Sequence, residues 1–115
     1  MSVVLAPVPA IPAQKQMLLE QIDGKELARE LLNKHQYKCF SSLIGKESAW
    51  KNARNPRSTA KGVGQLLDST YRNLGMKHSQ MEAAQTVASL AYIGRKYGSS
   101  GPCGAWKHFQ TKNWY

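Results

Sequence analysis

The stretch Tyr37-Lys38-Cys39-Phe40-Ser41-Ser42-Leu43-Ile44-Gly45-Lys46-Glu47-Ser48-Ala49-Trp50 decides how this chain is read. As a helix it sets Phe40, Leu43, Ile44 and Glu47 at i, i+3, i+4 and i+7, on one face. Three of the four are apolar. The fourth is a carboxylate at the C-terminal end of the apolar stripe, where a helix favours a cation. Burial and the helix end both disfavour the ionised form, so a raised pKa is predicted for Glu47. A carboxylic acid still protonated near neutral pH is what a general acid needs. Periodicity alone also fits a helix-end glutamate that swings into solvent.

The polar run from Lys51 to Ala60 contains Pro56 and reads as a loop. Gly62-Val63-Gly64-Gln65 then precedes the apolar pair Leu66-Leu67. The ordered set Glu47-Ser48, Asn55-Pro56 and Gly62-Val63-Gly64-Gln65 resembles the signature of the lysozyme-like lytic transglycosylase (SLT) superfamily. In that family an E-S pair ends one helix, an N-P loop follows, and a G-x-x-Q element closes the cleft beside the acid. Ala91-Tyr92-Ile93 is similar to the family's A-Y-(N/I) element. The segment from Gly98 to Trp106 and the ending Asn113-Trp114-Tyr115 resemble small secreted and phage-borne members. The likeness covers about residues 25 to 115.

The resemblance implies a mainly α, lysozyme-like domain over residues 23–115, preceded by an arm over residues 1–22. It implies Glu47 as the catalytic acid and Ser48, Gly62, Val63, Gly64, Gln65 and Tyr92 as substrate-binding residues. The substrate would be peptidoglycan glycan strands, with no metal or cofactor, and other virion or tail proteins are candidate partners. Two departures stand at the cleft wall: Ala49, where many members have Gly, and Gly64, where the commonest form has Met.

A chain of 115 residues is one domain with a single core. Its 42% hydrophobic and 20% charged residues read as globular and not disordered. No apolar run approaches the ~20 residues that span a membrane. Met1 to Ala13 lacks a basic region ahead of its short apolar segment, a poor match to a signal peptide. Action on a wall outside the cell would then rely on a virion or on lysis.

The first 35 residues balance in charge, so residues 36–115 hold the whole net +9. That half should attract polyanions, and nucleic acid and anionic wall polymers both qualify on charge alone. The histidines are too scattered for a metal site. Cys39 and Cys103 lie outside any C-x-x-C pattern, and by themselves read as free, buried thiols as readily as a bridge. Secreted relatives carry cysteines at both equivalent places, so the resemblance implies a disulfide.

Along the chain, Pro7, Pro9 and Pro12 exclude a helix over Met1 to Ala13, and Gln14 to Ile22 suits a short one. Asp23 with Glu26 three residues on predicts a helix N-cap, followed by Leu27, Leu31 and Leu32 facing inward. Lys51 to Gly64 is expected to form an irregular turn or short hairpin. Asp68 reads as the cap of a short helix over Tyr71 to Leu74, ended by Gly75. Ser79 with Glu82 repeats the capping pattern and starts a helix reaching Tyr97. Its inward face is expected to be Met81, Ala84, Val87, Ala88, Leu90 and Ala91, lying close against the central helix. Tyr92 is placed at the edge of that face, its hydroxyl within reach of the cleft. A last helix is predicted from about Cys103 to Thr111. The rings of Trp50, Trp106, Trp114 and Tyr115 suit either a stapled core or stacking on sugars.

Two-carboxylate hydrolysis needs a partner for Glu47. Beyond the N-terminal segment only Asp68 and Glu82 are available, and both read as helix caps. A single acid fits the transglycosylase pattern. Lysozyme-type hydrolysis, or a basic wall- or nucleic-acid-binding virion module without catalysis, are the alternatives.

Overall fold

In the computed structural model, which describes residues 23–115, five α-helices surround an irregular loop. The arm expected over residues 1–22 lies outside the described residues. Helix α1 spans Gly24–Leu31, and the Asp23 carboxylate caps it by accepting from the Glu26 amide at 2.7 Å. Its buried stripe is Gly24 and Ala28, not the leucines: Leu31 is 57% exposed, while Leu32 packs against the core. The cause is close helix packing. A Cβ at Gly24 would collide with the Thr86 hydroxyl of the helix opposite.

Helix α2 spans Lys34–Ser48, with Asn33 accepting from the Gln36 amide at 2.8 Å. Phe40, Leu43 and Ile44 are fully buried, as their spacing predicts. The helix stops where Ala49 (φ 54°) and Trp50 (φ 61°) both turn left-handed. The following loop holds only two isolated bridges, Arg54 to Lys61 and Lys61 to Leu66. No regular strand forms among the described residues.

Helix α3, Asp68–Leu74, begins at Asp68 itself. Asp68 is thus a first-turn residue and not the predicted cap, and its carboxylate pairs with Lys61 at 2.6 Å. Helix α4 spans Glu82–Tyr97 without the predicted capping box. The Ser79 hydroxyl instead accepts from the Met81 amide at 3.1 Å, one residue before Glu82. Its buried face also differs from expectation. Gln85, Thr86, Ala88, Ser89 and Ile93 are buried, whereas Met81 and Val87 are about two-fifths exposed at 41% and 42%. The small residues bring α4 close to α1 and to the Gly62–Gln65 turn, and α4 packs chiefly on α1 and on the last helix.

After a 3-10 turn at Gly98–Ser100, α5 spans Gly101–Lys112, with Pro102 in its first turn. Helix α5 makes the most extensive packing among the described helices, against α2. The seam is stapled by the Cys39–Cys103 disulfide, whose Cα atoms lie 4.9 Å apart across 64 residues. Beside it the Gln36 carboxamide accepts from the Cys103 amide at 2.9 Å and donates to the Ser100 carbonyl at 3.3 Å. Closing a loop of that length contributes roughly 4 kcal/mol in the chain-entropy picture. No helix among the described residues is long and apolar enough to cross a membrane.

The core has two lobes. One gathers Ala28, Phe40, Leu43, Ile44, Val63, Ile93 and Ala105. The other is Leu66, Tyr71 and Ala88. Tyr92 and Tyr115 pack against both, and that junction holds a cleft.

Candidate functional site

A cleft of about 370 Å³ opens at the junction of the lobes. Glu47, from the last turn of α2, forms one side of it. Gln65, Leu66 and Leu67 enter from the loop, Thr70 from α3, and Tyr92 and Lys96 from α4. The segment Asn113–Tyr115 closes the remaining side. Asn113 adopts the left-handed conformation (φ 65°) that ends α5 and turns the last residues back over the cleft.

Glu47 is half-buried, and its carboxyl has no hydrogen-bond or ion partner among the described residues. Burial raises its pKa from an ordinary 4.5 to about 7. The apolar helical face therefore does what its spacing predicts: it carries the acid out of water without supplying a counter-charge. At neutral pH such a group exists in both protonation states, so it can give a proton and take one back.

Tyr115 lies beside it. Its hydroxyl donates to the Gly64 carbonyl at 2.6 Å. Burial first, and then the Glu47 charge, push its phenol pKa up, so Tyr115 stays neutral. The Tyr92 hydroxyl donates to the Tyr115 carbonyl at 2.7 Å, and the two rings meet edge-on at 5.5 Å. Lys96, one helical turn after Tyr92, donates to the Tyr92 hydroxyl at 3.0 Å. Trp114, half-exposed at the rim, is steadied by His108, whose ring sits edge-on at 4.3 Å and bonds the Trp114 carbonyl at 2.8 Å.

Of the residues expected to bind substrate, Gln65 and Tyr92 line the cleft. Ser48, Gly62, Val63 and Gly64 do not; they form the wall behind it. The Ser48 hydroxyl donates to the Val63 carbonyl at 2.6 Å, tying the end of α2 to the glycine turn. Val63 is fully buried, and its amide donates to the Gln85 carboxamide at 3.0 Å. Gly62 takes a positive φ of 80°. Gly64 is a glycine because a Cβ there would collide with the Ser89 hydroxyl. Even the Gln65 amide nitrogen is engaged, donating to the Ala53 and Gly62 carbonyls at 2.9 and 2.8 Å.

Sequence reasoning left out Lys96 as a site residue and offered Tyr115 only as one of four rings suited to a core or to sugar stacking. Lys96 had a signal, because it follows Tyr92 at i+4 and so shares its face. Tyr115 had none beyond its aromatic character, since its place depends on how Asn113 turns the chain. Asp68 and Glu82 do not line the cleft, so Glu47 is the only side-chain carboxylate there among the described residues. Cys39 and Cys103 are bonded to each other beside His35 and are not free to hold a metal ion. The chain matches no family model, no curated protein and no solved structure.

Proposed function

We propose that the protein cleaves the β-1,4 bond between N-acetylmuramic acid and N-acetylglucosamine in peptidoglycan, as a lytic transglycosylase with Glu47 as its one catalytic residue. The observation that carries this reading is a lone side-chain carboxyl with a pKa raised to about 7, set in a cleft with aromatic rims and no second acidic side chain among the described residues. The ordered Glu47-Ser48, Asn55-Pro56 and Gly62-to-Gln65 elements support it from the sequence side.

The neutral Glu47 carboxyl donates its proton to the glycosidic oxygen as the bond from C1 to that oxygen breaks. The substrate's own acetamido group supports the positive charge left on the muramic acid. The Glu47 carboxylate then takes the proton of the C6 hydroxyl, and O6 bonds to C1. The products are a free 4-hydroxyl and a 1,6-anhydro sugar, and no water is consumed. One acid serves both steps, which suits a group poised between its two protonation states. Hydrolysis by two carboxylates would need a second acid across the bond, about 5–9.5 Å from the first. Trp114 offers a half-exposed ring at the rim on which a sugar face can lie.

The reading places the protein at a bacterial wall. The Cys39–Cys103 bridge suits such oxidising surroundings. The test is to digest purified peptidoglycan and weigh the fragments. Anhydro-muropeptides, one water lighter than reducing-end fragments, are the expected product. Fragments that all carry reducing ends would replace transglycosylation with hydrolysis. A suspension that never clears would remove catalysis altogether.

A further inference from the structure

The cleft continues past Glu47 into a second hollow of about 230 Å³, which shares Thr70, Tyr92 and Lys96 with it. The far side of this hollow is Asn73, Leu74 and Arg95. Two cations therefore line it, and no carboxylate does among the described residues. Neither cation is placed by an acid. Arg95 is held by donating one guanidinium N–H to the Asn73 carbonyl at 2.7 Å, at the C-terminal end of α3. Lys96 is held by rings: its ammonium lies 4.3 Å from the Trp114 centroid, 5.4 Å from Tyr92 and 5.5 Å from Tyr97. The one ion pair among the described residues, Lys61 with Asp68, is elsewhere.

This arrangement is unusual for surface charge. Long cations normally sweep through solvent, and fixing them costs side-chain entropy. Here neutral partners hold both heads at one end of the groove that contains the candidate acid. Adjacent like charges repel, and an anion between them relieves that repulsion. Arg95 keeps further N–H donors free beyond the one given to Asn73, and Lys96 keeps two beyond the one given to Tyr92. Charge-assisted bonds of this kind are the stronger ones available to a ligand.

We propose that Arg95 and Lys96 form a subsite for a carboxylate carried by the glycan strand, so that the protein selects acid-bearing strands over neutral ones. The inference rests on the glycan-cleaving reading and deepens it. Muramic acid supplies the carboxylate in either of two ways: on its own lactyl group where the peptide is absent, or on the stem peptide where it is present.

The experiment measures binding to the Glu47→Gln protein, which should hold its ligand without turning it over. The three ligands are chitotetraose, strands stripped of peptide by an amidase, and strands with intact stems. At low salt the carboxylate-bearing strands should bind about tenfold more tightly than the neutral chito-oligosaccharide. That advantage should shrink in high salt. It should also vanish in Arg95→Gln made on the same background, while binding of chitotetraose holds steady. In Lys96→Met, which also releases Tyr92 and Trp114, the ratio of acid-bearing to neutral affinity should fall to about one. A purely structural role for Arg95, weakening all three ligands alike, or an unchanged ratio in Lys96→Met would overturn the subsite. A preference for stripped strands would identify the lactyl carboxylate; a preference for intact ones, the stem. Equal affinity for all three overturns the subsite and leaves the glycan reading standing. Failure to bind any of them overturns both.

Discussion

Helix α2 sends Phe40, Leu43 and Ile44 into the core and then Glu47 into the cleft, whereas α4 buries Gln85, Thr86 and Ser89 beside Ala88 and Ile93. The two helices are of similar length, 15 and 16 residues, and both reach the same site. Hydrocarbon holds α2, and its one half-buried acid has no partner to satisfy it. Shape and hydrogen bonds hold α4. Gln85 alone accepts from the Val63 amide and donates to the Asn52 side chain at 3.0 Å and the Ser79 carbonyl at 2.8 Å. The difference shows how the molecule divides its work. The apolar helix raises the pKa of an acid by denying it water, and the polar helix builds the wall that the acid faces.

The largest expected effect separates those jobs. Glu47→Gln should keep the fold and lower wall-degrading turnover by roughly 10²–10⁴-fold. Circular dichroism and a peptidoglycan-clearing assay on the same preparation check it. Near-wild-type turnover would remove Glu47 from the chemistry.

Next comes the staple that joins α2 to α5. Cys103→Ser should cost roughly 4 kcal/mol, read from denaturant midpoints under non-reducing conditions. Because α5 leads into Asn113–Tyr115, the same variant should also lose part of the Tyr115 closure over the cleft. Protease cleavage near the last residues would report that loss. An unchanged midpoint would mean that the α2–α5 packing suffices without the bond.

The contrast between the helices can be tested directly by truncating one buried side chain in each. Phe40→Ala should cost roughly 3–5 kcal/mol through lost burial and a cavity. Gln85→Ala should cost roughly 1–3 kcal/mol, because it strands the Val63 amide and the Asn52 and Ser79 groups. Equal costs would mean that the polar face is as cohesive as the apolar one, and the division drawn above would fail. The two variants should also differ in activity per folded molecule. Gln85→Ala loosens the glycine turn behind Glu47, while Phe40→Ala acts mainly on stability.

The same division decides what could be read from the sequence. The face of α2 was legible because its chemistry is periodic: apolar residues at helical spacing and then an acid at the next position. The pKa direction followed from that pattern alone. The face of α4 was not legible, because hydropathy points Met81 and Val87 inward and Gln85 and Thr86 outward. Small residues at Gly24, Gly64 and Ser89 let the backbones approach closely, and that geometry rotates the buried face, leaving Ala88 as the fully buried residue common to both. Leu31 was misplaced for the same reason. In the candidate site, Glu47, Gln65 and Tyr92 were in view. Ser48 and the glycine turn were placed one layer too far forward, since nothing in their spacing says that Ser48 would spend its hydroxyl on the Val63 carbonyl.

A smaller effect concerns how stability depends on pH. The Glu47 carboxyl has a folded-state pKa of about 7 against an ordinary 4.5. The folded state thus favours the neutral form. Below pH ~4.5 the group is protonated in both states and its contribution is fully present. As pH rises from there to about 7, the unfolded chain ionises first and stability falls. The loss should be roughly 1–2 kcal/mol once partial solvent exposure is discounted. Glu47→Gln should lack this slope and exceed the wild type in stability above pH 7. Urea titrations of both proteins at pH 4 and pH 8 give the comparison. Parallel pH curves would mean that Glu47 stays solvated, as a helix-end glutamate that swings outward would.

The smallest effect sits at the end of α2, where the backbone itself is under load. Ala49 and Trp50 are consecutive non-glycine residues at φ 54° and 61°. The left-handed region costs an L-residue roughly 1 kcal/mol through contact of Cβ with the next carbonyl. Trp50 cannot be simplified without loss, because its ring meets Phe40 edge-on at 5.7 Å. Ala49 is exposed, so no packing would be lost there. Ala49→Gly should remove the strain and, after the entropy that glycine adds to the unfolded chain, leave a net gain of about 0.5 kcal/mol. Thermal unfolding of the two proteins measures it. Turnover should not change if the bond between the Ser48 hydroxyl and the Val63 carbonyl holds Glu47 in place, since that bond precedes residue 49. A variant that is more stable but slower would instead mean that the left-handed pair aims the acid. In that case the end of α2, and not only its apolar face, would position the chemistry.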